Sequence, residues 1–253
     1  MKHIIISGAS RGLGAALVEE LAGPEARLYL IARRGCEETQ ARVVAAGGHA
    51  ESFGIDLTDL HALPAAFGAV LGEIEGDPAA SSVSLVNNAG TLHPLGPIGK
   101  YAYEDYRRNL EINFTAPALL THLFISAVQE KELEKRVVFI SSGAAQKAYR
   151  GWTHYCSTKA GLDMLMQAIA LEQSDRERPV QVAAFNPGRI ETDMQKLLRE
   201  QSPEDFPAVD DFVAAATDGR TGSPREAARK LAGLLLSADY PHGRTVRASE
   251  LTG

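Results

Sequence analysis

Tyr155 and Lys159 stand four residues apart in Tyr155-Cys156-Ser157-Thr158-Lys159. On a helix that interval places both side chains on one face, one turn from each other. Ser142 lies thirteen residues before Tyr155, just past the apolar run Val137-Val138-Phe139-Ile140-Ser141, so it can return to the same spot from the end of a strand. These three residue types suit proton transfer to an oxygen. An unperturbed phenol, with a pKa near ~10, is a poor acid at neutral pH. A fixed ammonium beside it favours the phenolate and makes the phenol a readier donor. A serine hydroxyl can hold an oxygen on which negative charge develops. The interval alone is weak, because most helical tyrosines are packing residues and most lysines are solvated. The elements must bring Ser142 to the pair.

Those elements alternate along the chain. His3–Ser7, Arg27–Ala32, His49–Ile55, Val83–Asn87, Arg136–Ser141 and Val180–Asn186 read as six strands, and Arg244–Ser249 as a short seventh. Their cores are nearly continuous apolar runs, as expected of strands covered on both faces. Helical periodicity fills Leu13–Leu21, Glu37–Ala46, Leu60–Ile74, Tyr103–Gln129 and His154–Gln173. Alternating β and α elements predict parallel strands joined by right-handed crossovers. The expectation is an α/β fold: one domain over residues 1–253, with a doubly wound parallel sheet of about seven strands flanked by helices. After Pro187-Gly188 the rhythm stops, and residues 188–222 are rich in Glu, Asp and Pro. They read as an irregular insertion beside the carboxyl ends of the strands, where a substrate lid would sit. A helix resumes at Ser223-Pro224, Ser as N-cap and Pro at the first helical position.

The first strand runs into Gly8-Ala9-Ser10-Arg11-Gly12-Leu13-Gly14 and then a helix. Gly8 permits the turn out of the strand, Gly12 lets the backbone approach a pyrophosphate, and Gly14 lets the helix pack close to the sheet. The phosphates would meet free N–H groups at the positive helix end. The strand–turn–helix context makes this a dinucleotide site. At the end of the second strand an NAD site wants a carboxylate for the ribose 2′-hydroxyl, whereas arginine accommodates a 2′-phosphate. Here the chain reads Ile31-Ala32-Arg33-Arg34, with no acid before Glu37. Arg33 and Arg34 therefore favour NADP(H), with Arg11 able to close from the glycine loop.

Bulk properties bound the partners. The chain of 253 residues is 45% apolar and 23% charged, enough to bury the core of one large domain. A net charge of −6 with acids and bases interspersed gives no basic patch for nucleic acid. No apolar stretch reads as a membrane span or signal segment, so the expectation is a cytoplasmic protein. Cys36 and Cys156 form neither a metal-ligand spacing nor a disulfide framework.

With Gly8-x-x-x-Gly12-x-Gly14, Asp56-Leu57, Asn87-Asn88-Ala89-Gly90, Asn113, Ser142, Tyr155-x-x-x-Lys159 and Asn186-Pro187-Gly188 in order, the chain resembles the short-chain dehydrogenases/reductases over essentially its whole length. Ser7 departs from that pattern, in which Thr is usual, but its hydroxyl can make the same hydrogen bond. The resemblance implies a Rossmann-type fold and hydride transfer between a nicotinamide cofactor and a carbonyl, with Tyr155 as acid, Lys159 also on the nicotinamide ribose, and Ser142 on the substrate oxygen. It also implies that Asn113 holds a water relaying protons beyond Lys159. Asp56 and Leu57 would contact the adenine, and Asn88, Ala89 and Gly90 the ribose. Ser10 and Leu13 belong to the phosphate loop, while Pro187, Gly188, Ile190, Thr192 and Met194 would line the nicotinamide. Trp152 and Met194 are candidates for an apolar substrate pocket. His93 and His154 read as structural or exposed, Asn87 as a sheet residue.

The segments Asn186–Gln195, Glu204-Asp205-Phe206, Asp211-Phe212 and Arg247–Leu251 look like the sepiapterin-reductase-like branch, especially bacterial benzil reductases. That branch implies NADPH-dependent reduction of a vicinal diketone or of a pterin side-chain ketone. A pterin would want a carboxylate, for which Glu191, Asp193 and Asp210 are candidates. Two alternatives remain: an NAD(P)-dependent alcohol or sugar dehydrogenase, and a non-catalytic NADP(H)-binding redox sensor. The resemblance further implies a homodimer, or a tetramer, pairing through Tyr103–Gln129 and His154–Gln173. The face formed by Leu162, Leu165, Met166 and Ile169 needs a cover, from a partner or from the chain's own sheet.

Overall fold

The computed structural model describes residues 1–251, so the last two residues of the expected domain lie outside the described part. Seven parallel strands form one sheet in the order β3-β2-β1-β4-β5-β6-β7. They are β1 (Lys2–Ser7), β2 (Ala26–Ala32), β3 (His49–Gly54), β4 (Ser82–Asn87), β5 (Glu134–Ile140), β6 (Gln181–Asn186) and β7 (Thr245–Arg247). The order reverses between β1 and β4, which pair in register from Lys2 opposite Ser82 to Ile6 opposite Val86. At such a switch point the loops leaving two strands diverge to opposite faces and open a crevice at the carboxyl ends.

Alternation along each strand feeds two cores. Ile4 and Ile6 join Leu28, Leu30 and Val138 on one face, covered by Leu17 and Val18 of α1 (Gly12–Leu21) and, from later in the chain, by Leu231 and Leu235. Helix α2 (Glu37–Ala45) adds Val43 to the same face. Ile5, Tyr29, Leu85 and Phe139 face the other way, against Phe67 of α3 (Leu63–Glu75) and Leu162 and Met166 of the long helix that begins at Thr153. The face of that helix in question is thus largely turned inward: Leu162, Met166 and Ile169 are buried against the chain's own sheet.

Three expectations needed correction. The single helix over Tyr103–Gln129 is three pieces: α4 (Tyr103–Leu110), a π-helical turn at Glu111–Thr115, and α5 (Ala116–Val128). The wider turn inserts a residue without disturbing apolar composition, so periodicity alone hides it. By length and composition the 26-residue run Tyr103–Val128 passes for a membrane span, contrary to the reading that nothing approaches one. Ala116, Leu120, Phe124 and Val128 bury its apolar stripe in the second core.

The segment 188–222 is not irregular either. After α6 (Thr153–Ser174) and β6 it folds into α7 (Asp193–Arg199) and α8 (Val209–Thr217). Its two stems meet at a bridge between Ile190 and Gly222. Phe206 and Phe212 pack on Trp152 to form a third, smaller apolar cluster beneath it. α9 (Pro224–Leu236) then starts as expected, the Ser223 hydroxyl accepting from Glu226 N at 3.0 Å.

Candidate active site

A cleft of about 1580 Å³ opens over the carboxyl ends of the strands, between the glycine loop and the lid. Its floor depends on close backbone approach. Gly8 has φ +67°, and a Cβ there would lie 2.8 Å from Ala89 Cα. Any side chain at Gly14 would collide with the Gly8 carbonyl, so this glycine sets packing and does not itself line the cleft. Ser7 takes the role expected of its hydroxyl, which accepts from Asn88 N at 3.0 Å and Ala89 N at 3.1 Å. Asn88 in turn donates from Nδ2 to the carbonyls of Ser7 and Gly8, at 2.9 and 3.1 Å. The β1 and β4 loops are therefore one unit.

This unit fits a dinucleotide. Helix α1 begins at the cleft with no side-chain cap and no acid in its first turn, leaving its orphan N–H groups for an anion. Ser10, Arg11, Gly12 and Leu13 line the opening, as do Arg33, Arg34, Asp56, Leu57, Ala89 and Gly90. Arg33 and Arg34 are exposed, and neither makes an ion pair among the described residues. Arg11 points the other way, its Nη1 lying 3.4 Å from Asp193 Oδ2 of the lid. Burial pushes the Asp56 carboxyl up, but hydrogen bonds from Thr58 and the charges of Arg33 and Arg108 outweigh it and leave it below its ordinary value. Arg108 of α4 lines the same end of the cleft. The sequence reading missed it, since an arginine on an amphipathic helix gives no signal of its own.

Ser142 and Tyr155 line the inner cleft together with Lys159. Ser142 caps a short 3₁₀ turn after β5, its Oγ accepting from Ala144 N at 3.2 Å. Burial pushes the Tyr155 phenol up to about 12, against the opposing hydrogen bond of Ser142. Without a nicotinamide cation beside it, burial dominates the phenol: Lys159 Nζ sits 5.7 Å from the ring centroid and donates to the Ile140 carbonyl at 2.7 Å. Burial also draws Lys159 down to about 8, while the Asp163 carboxylate one turn away holds it up.

Asn113 is buried in the π turn and does not line the cleft. Its Oδ1 accepts from Thr91 N at 2.8 Å and its Nδ2 donates to Thr91 O at 2.8 Å. The side chain is spent on the main chain of Thr91 and on Asn109 Oδ1, to which Nδ2 donates at 2.9 Å.

Pro187, Gly188, Ile190, Thr192 and Met194 line the lid side. Gly188 N is fixed by the Asn186 side chain at 3.0 Å. Trp152 stacks on Phe206 with centroids 4.7 Å apart, and Met194 packs against the same cluster. Leu92, Tyr149, Arg189 and Phe212 also line the cleft and escaped the sequence reading. They converge only through the lid fold. His154 is buried, with Nε2 3.2 Å from the Leu92 carbonyl, and His93 lines the rim. Asn87 supports the sheet, its Nδ2 donating to Thr121 Oγ1 at 3.0 Å.

A seven-stranded sheet of this order, with Ser142, Tyr155 and Lys159 at one end of its crevice, defines a nucleotide-dependent oxidoreductase scaffold. Residues 2–203 match the family model described as short chain dehydrogenase, and the chain belongs to that family. It is 37% identical over 250 residues to the benzil reductase ((S)-benzoin forming) of Bacillus cereus, covering 99% of this chain and 100% of that one. It is 31% identical over 259 residues to the sepiapterin reductase of Mus musculus, covering 96% and 94%. A metagenomic short-chain oxidoreductase solved in complex with NADP superposes with a TM-score of 0.74 at 27% identity, over 97% of this chain and 96% of that one. By these relations the chain is a short-chain oxidoreductase with reductases among its relatives.

Proposed function

We propose that this chain reduces one carbonyl of an apolar vicinal diketone to the alcohol, with NADPH as reductant. The observation that carries the reading is the juxtaposition of Ser142, Tyr155 and Lys159 with the aromatic wall of Tyr149, Trp152 and Phe212 in one cleft. Cofactor choice rests on Arg33 and Arg34, two exposed guanidinium groups where an NAD site would carry an acid. Gly8, Ser10, Gly12, Leu13 and the α1 N-terminus would hold the pyrophosphate, and Asp56, Leu57 and Arg108 the adenosine end. The bound nicotinamide would supply the hydride to the carbonyl carbon. Ser142 holds the carbonyl oxygen and Tyr155 gives it a proton as charge develops there. Lys159 keeps a positive charge near the phenol and binds the ribose. Asn113 and the Pro187–Met194 stretch position these groups around the reacting centre.

A pterin ketone fits less well. Glu191 is held by Arg199, with Oε2 2.9 Å from Nη1, and Asp193 faces Arg11 and Lys196. Asp210 is not among the residues lining the cleft. A homodimer is part of the reading: Tyr103 and Leu110 of α4 and Met164 and Leu171 of α6 are exposed large apolar side chains on the two helices expected to pair. The test is oxidation of NADPH, and separately NADH, against benzil, a second vicinal diketone, a pterin ketone and a simple aldehyde. Turnover of a diketone with NADPH, lost in Tyr155→Phe, is the expected result. Tight NADPH binding without turnover of any carbonyl would overturn the reductase assignment in favour of a cofactor-sensing role.

A further inference from the structure

A buried amide ladder lies behind the catalytic groups, and one member has no assigned role. Asn109 is the last-but-one residue of α4, fully buried and one turn before Asn113. Its Oδ1 accepts from Asn113 Nδ2 at 2.9 Å. Its own Nδ2 donates to the carbonyls of Thr91, at 3.2 Å, and His93, at 2.6 Å. Asn113 Nδ2 donates its second hydrogen to Thr91 O, and Asn113 Oδ1 accepts from Thr91 N.

The four amide hydrogens are all used, and chemistry fixes which way each amide points. The main-chain N–H of Thr91 is only a donor, so it must face Asn113 Oδ1. That turns Asn113 Nδ2 toward Asn109, which must answer with its oxygen. Asn109 Nδ2 is then left for the two carbonyls beyond. Inverting either amide would set donor against donor or oxygen against oxygen in a buried site, at the cost of unmade buried hydrogen bonds.

The ladder ends at the reacting groups. A Cβ on Gly90 would lie 3.3 Å from Asn113 Oδ1 and 3.9 Å from Lys159 Nζ, so amide, main chain and ammonium converge there. In the other direction the segment it clamps, Thr91-Leu92-His93, forms one wall of the cleft.

We propose that Asn109 is a positioning residue for the reductase reaction: it holds the Asn113 amide in the orientation that the Thr91 N–H selects and pins the Thr91–His93 wall against the π turn. It touches neither substrate nor cofactor and acts through those two neighbours. The inference rests on the reductase reading for its kinetic consequence, but not for its structural one.

The variants are Asn109→Leu, which keeps the bulk and removes both amide functions, and Asn109→Asp, which keeps the shape. In Asn109→Asp the ionised carboxylate sets an oxygen against the Thr91 and His93 carbonyls. Protonated, it regains one donor, and burial among carbonyls favours that form. Asn109→Leu is expected to lower kcat by about tenfold or more, the scale of a small displacement at a reacting centre, with the KM for NADPH changed by less than about twofold. Asn109→Asp is expected to lose activity at neutral pH and regain part of it as the pH falls, against a wild type measured alongside.

Hydrogen–deuterium exchange supplies a readout independent of turnover. The peptide containing residues 91–95 exchanges faster in Asn109→Leu while the β1 and β5 peptides do not. Wild-type kcat and unchanged exchange at 91–95 in both variants would overturn the inference. A general rise in exchange across the sheet in Asn109→Leu would mark loss of fold, and the pH-dependent recovery of Asn109→Asp then decides: its absence overturns the proposal. If the wild-type protein turns over no carbonyl, the reductase reading fails, and the exchange arm alone decides the clamping role.

Discussion

The floor of the cleft and its lid hold their polar side chains under opposite conditions. On the floor, Lys159, Asn113, Asn109 and Tyr155 are all buried, and the amides and the ammonium are held by 2.6–3.2 Å hydrogen bonds to main chain or to one another. On the lid, Arg11 and Asp193 are 78% and 66% exposed and 3.4 Å apart, and Lys100 reaches Asp205 from a neighbouring loop. A buried amide left without its partner costs about 1–3 kcal/mol. An exposed ion pair contributes about 0–1 kcal/mol and weakens with salt. The difference teaches that the reacting groups are set before any ligand arrives, while the roof's exposed ion pairs can give way at little cost.

The most severe break of the floor is Tyr155→Phe. Removing one hydroxyl leaves the ring packed on Trp152 and takes away the proton donor, so kcat should fall by about 10²–10⁴-fold, the usual worth of a general acid. Quenching of Trp152 fluorescence by NADPH should persist. Retained turnover in this variant would remove Tyr155 from the mechanism. Arg33→Glu comes next. It exchanges a guanidinium for a like charge beside a 2′-phosphate, and a charge-assisted bond is worth about 1.5–3 kcal/mol. The KM for NADPH should rise by about tenfold or more while that for NADH stays or falls. An equal rise for both cofactors would argue that Arg33 holds something other than the 2′-phosphate.

The charges of the floor also predict a pH profile. Burial draws Lys159 down to about 8, so it loses its proton on the alkaline side well before an ordinary lysine. If the ammonium supports the reaction, kcat/KM, which reports the free enzyme, should fall about tenfold per unit above pH about 8. Asp163 holds the ammonium up, so Asp163→Asn should move that limb to lower pH. A limb that stays in place would show that another group titrates there. The same lowered pKa has a stability consequence. Between the folded value of about 8 and the ordinary 10.5 the unfolded chain binds the extra proton, so Lys159 contributes increasing stability as pH rises through that window.

Much of the floor was legible in sequence because its signals are local. The apolar runs of β1, β4 and β5, the glycine spacing after β1 and the Tyr155–Lys159 interval each follow from neighbours a few residues apart. What was not legible depends on burial or on distant contacts. The direction of the Tyr155 shift is set by how completely the cleft encloses the phenol, which no spacing records. Asn109 in a charged helix reads as a solvated polar residue until the loop after β4 is folded against it. The lid helices α7 and α8 have seven and nine residues, too short to hold by propensity. They exist because Phe206 and Phe212 find Trp152, and because Arg199 clasps Glu191 across the stem.

The smallest effect tests the roof itself. Asp193→Asn removes the charge facing Arg11 and Lys196 but leaves α7 with a polar residue in its first turn. Because both ion pairs are solvated, thermal stability should change by less than about 0.5 kcal/mol, the range of a surface substitution. The consequence belongs to Arg11, which is one of the cleft's cations and is turned toward the lid. Freed from Asp193, its guanidinium is available to a phosphate, so the KM for NADPH should fall by about twofold, more visibly at low ionic strength than at high. A large loss of stability in Asp193→Asn would mean that the lid is held by this pair after all, and that floor and roof are not the two electrostatic regimes their burial implies.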